Sequence, residues 1–263
     1  MNQSSDSSLN RLDRLDRLDK LDKINKIFVI NLEKRPKRLT EFKSRIPFPL
    51  DKVYKFKAVD GKNLTANEIK ILYNFCPDIK NKNLKAGEIG CALSHYILWY
   101  KISKFEDDKY CLIHEDDVMF AKSDEFNSSI DTMLSNFKKD NYENGLIFIG
   151  GRFKPKYDKF KNTNNFIKFD NCIYKWNPQT KRNTAIKDRC TSAYLINPSI
   201  AKELVESFNS TSFENCIPID KWMTRKTTVT TYDYFPHLCY SPCDYNSDIQ
   251  GGINKNNIRD FLN

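Results

Sequence analysis

The amino-acid sequence predicts an α/β fold in which a mainly parallel central sheet is flanked by helices. Short apolar runs, typical of buried strands, alternate along the chain with longer segments whose apolar residues recur at helical spacing. The chain has 263 residues, of which 40% are hydrophobic and 13% aromatic, and this is enough to bury a core. Alternating strands and helices favour parallel pairing, because each helix carries the chain back across the sheet.

Strands are predicted where short apolar runs end at polar or turn residues, at 26–31, 53–59, 110–113, 145–151, 192–196 and 228–235. Helical spacing predicts helices at 67–75, 86–105, 124–137, 198–208 and 219–226. Asn197 and Pro198 would supply an N-cap and a first-turn proline to the fourth of these helices. Residues 152–188 have no period and are predicted to form a long loop or irregular insertion, and the residues after 235 a polar tail.

Residues 1–25 are expected to form a flexible, repetitive N-terminal arm. The segment RLDRLDRLDKLDK repeats with a period of three, so its leucines drift by about 60° per repeat around a helix. A frayed or flexible arm is therefore favoured over a helix that docks a partner. Residues 26–263 are predicted to form a single domain.

The composition excludes several classes of function. The formal charge is +9, but the basic residues are dispersed, mostly lysine, and form no nucleic-acid motif, so no nucleic-acid partner is expected. No apolar run approaches the ~18–20 residues of a membrane helix. The N-terminus lacks the apolar centre of a signal peptide, which predicts a cytoplasmic location. The AT-biased residue usage suggests a bacterium or a cell infected by a large DNA virus, with virion association left open.

The eight cysteines are too few and too scattered for a disulfide scaffold, so most are expected to be reduced core residues. Cys239 and Cys243 form the one close pair. A single pair at this spacing, without a second pair, is a weak indication of zinc.

Charged residues follow two of the predicted strands, at the point where each strand ends. The strand at 26–30 is followed by Asn31, Arg35 and Arg38, and the strand at 110–113 by His114 and the acidic run Glu115-Asp116-Asp117. Ligands of parallel sheets bind beyond the carboxyl ends of the strands. Adjacent carboxylates repel one another unless a cation neutralises them, and oxygen ligands of this kind suit Mg²⁺ or Mn²⁺.

A solvated acidic loop is the alternative for Glu115-Asp116-Asp117. A second acidic triplet, at 106–108, precedes its strand and is predicted to lie on the surface. The first triplet instead interrupts apolar sequence on both sides, where unpartnered charge is costly.

The order of several segments resembles glycosyltransferase family 25, which contains lipopolysaccharide-type sugar transferases and procollagen galactosyltransferases. The matching segments are KIFVINLEKRPKRL, AGEIGCALSHYILW, YCLIHEDDVMF, TSAYLINPSIAKEL, PIDKWM and SDIQ. They cover roughly residues 26–250. The resemblance implies a GT-A type nucleotide-binding fold, a UDP-sugar as donor and Mn²⁺, or Mg²⁺, as cofactor.

The resemblance also implies roles for individual residues. Glu115-Asp116-Asp117 would be the metal and donor motif, with Asp117 as the best metal ligand and Glu115 on the ribose or, through water, on the metal. The first-strand motif would line the nucleotide pocket through Asn31, Leu32, Arg35 and Arg38.

The GEIGCALSH motif would contact the donor through Glu88, Ser94 or His95. Alternatively, its glycines would only allow close packing, and Ser94 and His95 would only cap neighbouring loops. His114 is given no role.

The family is considered inverting, and inversion needs a general base for the acceptor hydroxyl. Asp220 in PIDKWM is the first candidate and Asp248 in SDIQ the second, although an isolated aspartate more commonly caps a helix or turn. His237 would complete the metal shell or be structural. The expected reaction transfers glucose or galactose to a glycan or protein hydroxyl; a degenerate nucleotide or glycan binder and a nucleotidyltransferase are the alternatives.

Overall fold

The computed structural model describes residues 21, 23–77, 79, 84–121, 123–139, 144–152, 166–168, 172–176, 190–210, 217–225 and 229–241. None of the helices in these residues is long and apolar enough to cross a membrane. The arm predicted at 1–25 lies outside the described residues, apart from its last few positions.

The described residues form an α/β fold with a large sheet, a small sheet and helices on both faces of the large one. The strands are β1 (Ile24–Asn31), β2 (Val53–Lys57), β3 (Tyr110–Glu115), β4 (Met119–Phe120), β5 (Leu146–Phe148), β6 (Gly150–Arg152), β7 (Phe166–Lys168), β8 (Ile173–Trp176), β9 (Ala193–Ile196), β10 (Thr231–Tyr234) and β11 (Cys239–Ser241). The α-helices are α1 (Pro36–Arg45), α2 (Ala66–Phe75), α3 (Ala86–Ile102), α4 (Ser123–Lys139), α5 (Pro198–Asn209) and α6 (Ile219–Arg225).

The large sheet has the order β2-β1-β3-β9-β5-β10-β8-β7, and the small one the order β4-β11-β6. Parallel pairing joins β1 to β2 and β3, and β5 to β10. The strand β9 is antiparallel to β3 and β5, and β8 is antiparallel to β10 and β7. Six of the eight strands therefore run in one direction, and the predicted α/β class with a mainly parallel sheet is confirmed.

The register of β1 places its end beside the end of β3. Ile30 is paired with Glu115 on one side and with Phe56 of β2 on the other. The loops that follow β1, β2 and β3 therefore leave the sheet at the same edge. This is the edge at which ligands of such sheets bind.

The core has two parts, one on each face of the sheet. On one face α3, α5 and α6 pack through large aromatic side chains, among them Trp99, Phe208 and Trp222. On the other face α1 and α4 bury Phe42 and Phe126. Side chains of β3 alternate between the two parts, as the two-residue period of a strand requires.

Local sequence explains where two of these helices begin. Asn197 caps α5, because its Oδ1 accepts a hydrogen bond from the backbone N–H of Ile200 at 3.0 Å, as predicted. The start of α3 lies against the loop after β2, where a Cβ on Gly90 would be 2.6 Å from the carbonyl oxygen of Val59. Only glycine fits at that contact.

Several predicted boundaries and elements were wrong. The strand β1 begins two residues before the predicted start, and Leu21 is already fully buried. The predicted loop at 152–188 contains β7 and β8, which are too short to show a period, and the predicted tail contains β11. The helix α1 was not predicted. Phe42 is its one buried residue, so the segment lacks apolar residues at helical spacing.

Most described cysteines are free thiols, as expected: Cys91, Cys111, Cys172, Cys190 and Cys239. Cys76 is disulfide-bonded. Cys243, the other half of the weak zinc indication, lies outside the described residues.

Candidate functional site

A cavity of about 290 Å³ lies at the carboxyl edge of β1, β2 and β3. Its walls include the turn after β3, the loop after β2, the N-terminal half of α3 and the first turn of α6. Leu32, Arg38, Glu115 and Asp220 are among the residues that line it. The cavity therefore brings together segments that are far apart in the sequence.

Arg38 on α1 binds the acidic turn that follows β3. Its guanidinium lies 3.2 Å from Asp116 Oδ1 and 2.9 Å from Asp117 Oδ2. Asn31, buried at the end of β1, donates from Nδ2 to Asp116 Oδ2 at 2.7 Å and to the carbonyl oxygen of Arg35 at 3.0 Å. Asn31 and Arg35 are not among the residues that line the cavity. Asn31 acts on the site by holding Asp116.

Asp117 has one carboxylate oxygen that the described residues leave unsatisfied. Its Oδ1 is buried, and none of these residues forms a hydrogen bond with it. Burial raises the pKa of Asp117 to about 7, and repulsion from Glu115 and Asp116 adds to this effect, whereas Arg38 opposes it. A divalent cation would relieve both the repulsion and the unpaired oxygen, so the donor set fits Mg²⁺ or Mn²⁺.

Glu115 is held by donors that converge on one of its oxygens. Thr191 Oγ1 donates to Oε1 at 2.5 Å, His95 Nε2 lies 3.5 Å from the same oxygen, and Cys91 Sγ lies 3.9 Å from it. Burial works against the ionised form, but the hydrogen bonds from His95 and Thr191 and the charge of Arg38 outweigh it, so the pKa of Glu115 lies below its ordinary value.

Cys91, His95 and Glu115 form the one group in the described residues whose ligand atoms, within 4.8 Å of one another, could hold a metal ion. Burial raises the pKa of the Cys91 thiol well above its ordinary range. Cys91 and Thr191 were not predicted as site residues. The spacing of Cys91 and His95, four residues apart in a predicted helix, was the available signal.

Ser94 and Glu88 line the cavity but are engaged within the protein. Ser94 Oγ accepts from the backbone N–H of Val59 at 2.8 Å and donates to the carbonyl oxygen of Gly90 at 2.6 Å. Glu88 accepts from the backbone N–H of Lys85 at 2.8 Å and so caps α3. Ser94 therefore holds the loop after β2 and Glu88 caps α3, and a contact of either residue with the donor stays a prediction.

Of the two candidates for the general base, Asp220 lies among the described residues. Asp220 lies in the first turn of α6, lines the cavity and accepts the backbone N–H of Lys221 at 2.8 Å. Asp248 lies outside the described residues.

His237 is buried, with its ring near Phe235 and Tyr240, and a Cβ on Gly151 would lie 2.3 Å from that ring. It is not among the residues that line the cavity. This packing accounts for a structural role, and the role as metal ligand stays a prediction.

These features define an α/β protein with a ligand cavity at the carboxyl edge of its sheet and a carboxylate cluster in that cavity. The chain belongs to glycosyltransferase family 25, described as LPS biosynthesis protein, whose sequence model matches residues 24–223.

Similar proteins occur in animals and bacteria. A glycosyltransferase 25 family member of Drosophila pseudoobscura pseudoobscura is 38% identical over 98 residues, which cover 35% of this chain and 16% of the relative. Procollagen galactosyltransferase 2 of Homo sapiens is 26% identical over 204 residues, covering 74% and 29%. Lipooligosaccharide biosynthesis protein lic2B of Haemophilus influenzae is 27% identical over 189 residues, covering 70% and 65%. The chain spans less than a third of the length of both animal relatives.

Proposed function

We propose that this chain is a metal-dependent glycosyltransferase that moves glucose or galactose from a UDP-sugar to a hydroxyl group of a glycan or protein, with inversion at the sugar carbon. The observation that carries the proposal is the unpartnered, buried Oδ1 of Asp117 in the cavity of a family 25 chain. We include galactose and a protein acceptor because the human relative is named a procollagen galactosyltransferase. We include a glycan acceptor because the Haemophilus relative is named a lipooligosaccharide biosynthesis protein.

The carboxylates of Asp117 and Glu115 are the residues that would hold the divalent cation. When bound, the cation would offset the charge of the donor diphosphate and of the UDP that departs. Arg38 and Asn31 keep the acidic turn in place through Asp116. The protein thus contributes a preorganised set of charges, which is effective because it needs no rearrangement during the reaction.

Asp220 would act as the general base. It would accept the proton of the acceptor hydroxyl while the hydroxyl oxygen attacks the anomeric carbon of the sugar. The bond from that carbon to the diphosphate oxygen breaks, and UDP leaves with the electron pair. Attack from the face opposite the leaving group inverts the configuration. The position of Asp220 supports this role, because it lines the same cavity from the first turn of α6.

The test is release of UDP from a panel of UDP-sugars, with and without Mn²⁺, by the wild type and by Asp117→Ala. We expect release from one donor that depends on Mn²⁺ and is abolished by the substitution. Asp108→Asn, in the exposed acidic triplet at 106–108, is the matched control and should release UDP at the wild-type rate.

Donor hydrolysis is slow in the absence of an acceptor in many transferases, so binding of UDP with Mn²⁺ is measured by calorimetry in parallel. Binding without release from any donor, even with acceptor sugars added, would favour the degenerate binder. Failure of UDP and of every UDP-sugar to bind in the presence of Mn²⁺ would contradict the proposal.

A further inference from the structure

A chain of hydrogen bonds runs through buried side chains toward Glu115. The indole Nε1 of Trp99 donates to the hydroxyl oxygen of Tyr194 at 2.9 Å. That hydroxyl lies 2.6 Å from Nδ1 of His95. Trp99, Tyr194 and His95 are each at most 1% exposed, so water does not satisfy these groups.

The direction of each bond follows from the number of protons available. An indole N–H can only donate, so the Tyr194 oxygen accepts from Trp99. Burial raises the pKa of Tyr194 well above its ordinary value, which keeps its hydroxyl proton in place. His95 Nδ1 is the acceptor that the described residues offer to this proton. Nδ1 therefore accepts and carries no hydrogen, which places the ring hydrogen on Nε2.

The bond from His95 determines which oxygen of Glu115 is left for a ligand. Its Nε2–H faces Glu115 Oε1, the oxygen that also accepts from Thr191. No residue that the structure describes donates to Oε2, and the Glu115 side chain is 20% exposed in the cavity. The donors thus occupy one oxygen and leave the other for the contents of the cavity.

We infer that His95 is a positioning residue, whose Nε2–H tautomer, set by Trp99 and Tyr194, orients Glu115 so that Oε2 receives the donor or its cation. This inference rests on the proposed function for the identity of the ligand. It assigns to His95 an action through Glu115 rather than a contact with the donor.

The same geometry argues against His95 as a metal ligand beside Cys91. Coordination through Nε2 requires that nitrogen to be without hydrogen, so the ring hydrogen would move to Nδ1. The Tyr194 oxygen would then accept from both Trp99 and His95, and its own proton would lose its buried acceptor.

Nuclear magnetic resonance of the protein labelled with ¹⁵N-histidine tests the tautomer directly. The chain contains three histidines, so the His95 signals are identified by their absence from His95→Gln. We expect a protonated Nε2 and an unprotonated Nδ1 in the wild type, and a mixture of tautomers in Tyr194→Phe. A protonated Nδ1 in the wild type, or coordination of added Zn²⁺ through Nε2, would overturn the inference.

Kinetics test whether the hydrogen bonds matter for the site. Removing outer partners of ligating groups typically costs 10–100-fold, so we expect Tyr194→Phe to lower kcat/KM for the UDP-sugar about 10-fold and His95→Ala about 100-fold. His95→Gln, whose amide can donate to Glu115, should recover part of that loss. Tyr96→Phe is the matched control, because Tyr96 lies on the same helix and donates to Asn209, outside the cavity.

The two readouts separate this inference from the proposed function. The ¹⁵N-histidine spectrum is measured without catalysis and so does not depend on the proposed function. If His95 has the Nε2–H tautomer but the protein transfers no sugar, the proposed function is contradicted and the hydrogen-bond assignment is supported. If the wild type, Tyr194→Phe and His95→Ala all transfer sugar at the same rate, the positioning role is contradicted and the proposed function stands.

Discussion

His114 and Glu115 are neighbours on β3, and their side chains lie on opposite faces of the sheet. His114 is fully buried among Phe42, Phe48 and Phe120, with ring centroids 5.3–5.8 Å away. No described residue forms a hydrogen bond with either of its ring nitrogens, and burial lowers its pKa to about 3. Glu115 is surrounded by donors that lower its pKa and keep it charged.

The difference shows that partners, not burial alone, decide the charge of a group in this protein. Burial acts against ionisation on both faces. On the aromatic face no described residue opposes it, so the histidine is neutral and contributes packing. On the face of α3, hydrogen bonds and Arg38 oppose it, so charge is retained where a ligand can use it.

The largest expected effect comes from Asp117→Asn, which tests the charged face. We expect the rate of sugar transfer to fall by about 10³-fold or more, since the variant loses a charged ligand for the cation.

The same substitution is expected to stabilise the fold in the absence of metal. The pKa of Asp117 in the folded state, about 7, lies above its unfolded value, so ionised Asp117 destabilises the fold as pH rises from about 4 through 7. Asp117→Asn should therefore raise the free energy of unfolding at pH 8 by about 2–4 kcal/mol. Urea denaturation in EDTA measures this; equal stability of variant and wild type would contradict the account.

Arg38→Met removes a cation that binds both Asp116 and Asp117. Since Arg38 is partly exposed, we expect a loss of about 1–3 kcal/mol at pH 8 in EDTA, less than for a fully buried pair. Mn²⁺ should stabilise this variant more than the wild type, because it replaces the missing charge. Thermal denaturation with and without Mn²⁺ gives the comparison, and an equal shift in Tm for both proteins would argue against a cation site at the acidic turn.

His114→Phe tests the aromatic face. The folded pKa of about 3 lies below the unfolded value of about 6.5, so protonation of the unfolded chain lowers stability as pH falls below 6.5. Between pH 7 and pH 5 the wild type should lose about 2 kcal/mol more than His114→Phe. Urea denaturation of both proteins at the two pH values measures this difference. If the stabilities of the two proteins change equally with pH, His114 has the same pKa in the folded and unfolded states, contrary to this prediction.

The smallest expected effect is that of Ser94→Ala, on the charged face but outside the carboxylate cluster. The substitution leaves the buried N–H of Val59 without its acceptor and should cost about 1–2 kcal/mol of stability. The midpoint of urea denaturation measures this loss. Ser94→Thr, which keeps the hydroxyl, is the comparison, and a neutral effect of Ser94→Ala would show that water replaces the hydroxyl.

The parts of the fold that could be predicted from the sequence are those with a local signal. The strand β3 and the acidic turn after it were evident because charge interrupts an apolar run. Asn197 was evident as an N-cap because capping depends on a few consecutive residues. The exposure of the triplet at 106–108 was predicted from its position before the strand.

Contacts between distant segments could not be predicted in this way. Thr191 and Tyr194 join the site because β9 inserts between β3 and β5, and nothing near them in the sequence indicates that pairing. Asn31 was expected in the nucleotide pocket, but its role in holding Asp116 depends on the register of β1 and β3. The cytoplasmic location and the identity of the sugar remain predictions.

Binding of Mn²⁺ by the wild type and by Asp117→Asn, each measured by calorimetry with and without UDP, tests the central claim most directly. We expect the wild type to bind Mn²⁺ and UDP to strengthen this binding. Asp117→Asn should lose most of the Mn²⁺ affinity and most of the effect of UDP. Equal Mn²⁺ affinity in the two proteins, or an affinity that UDP leaves unchanged in the wild type, would contradict it.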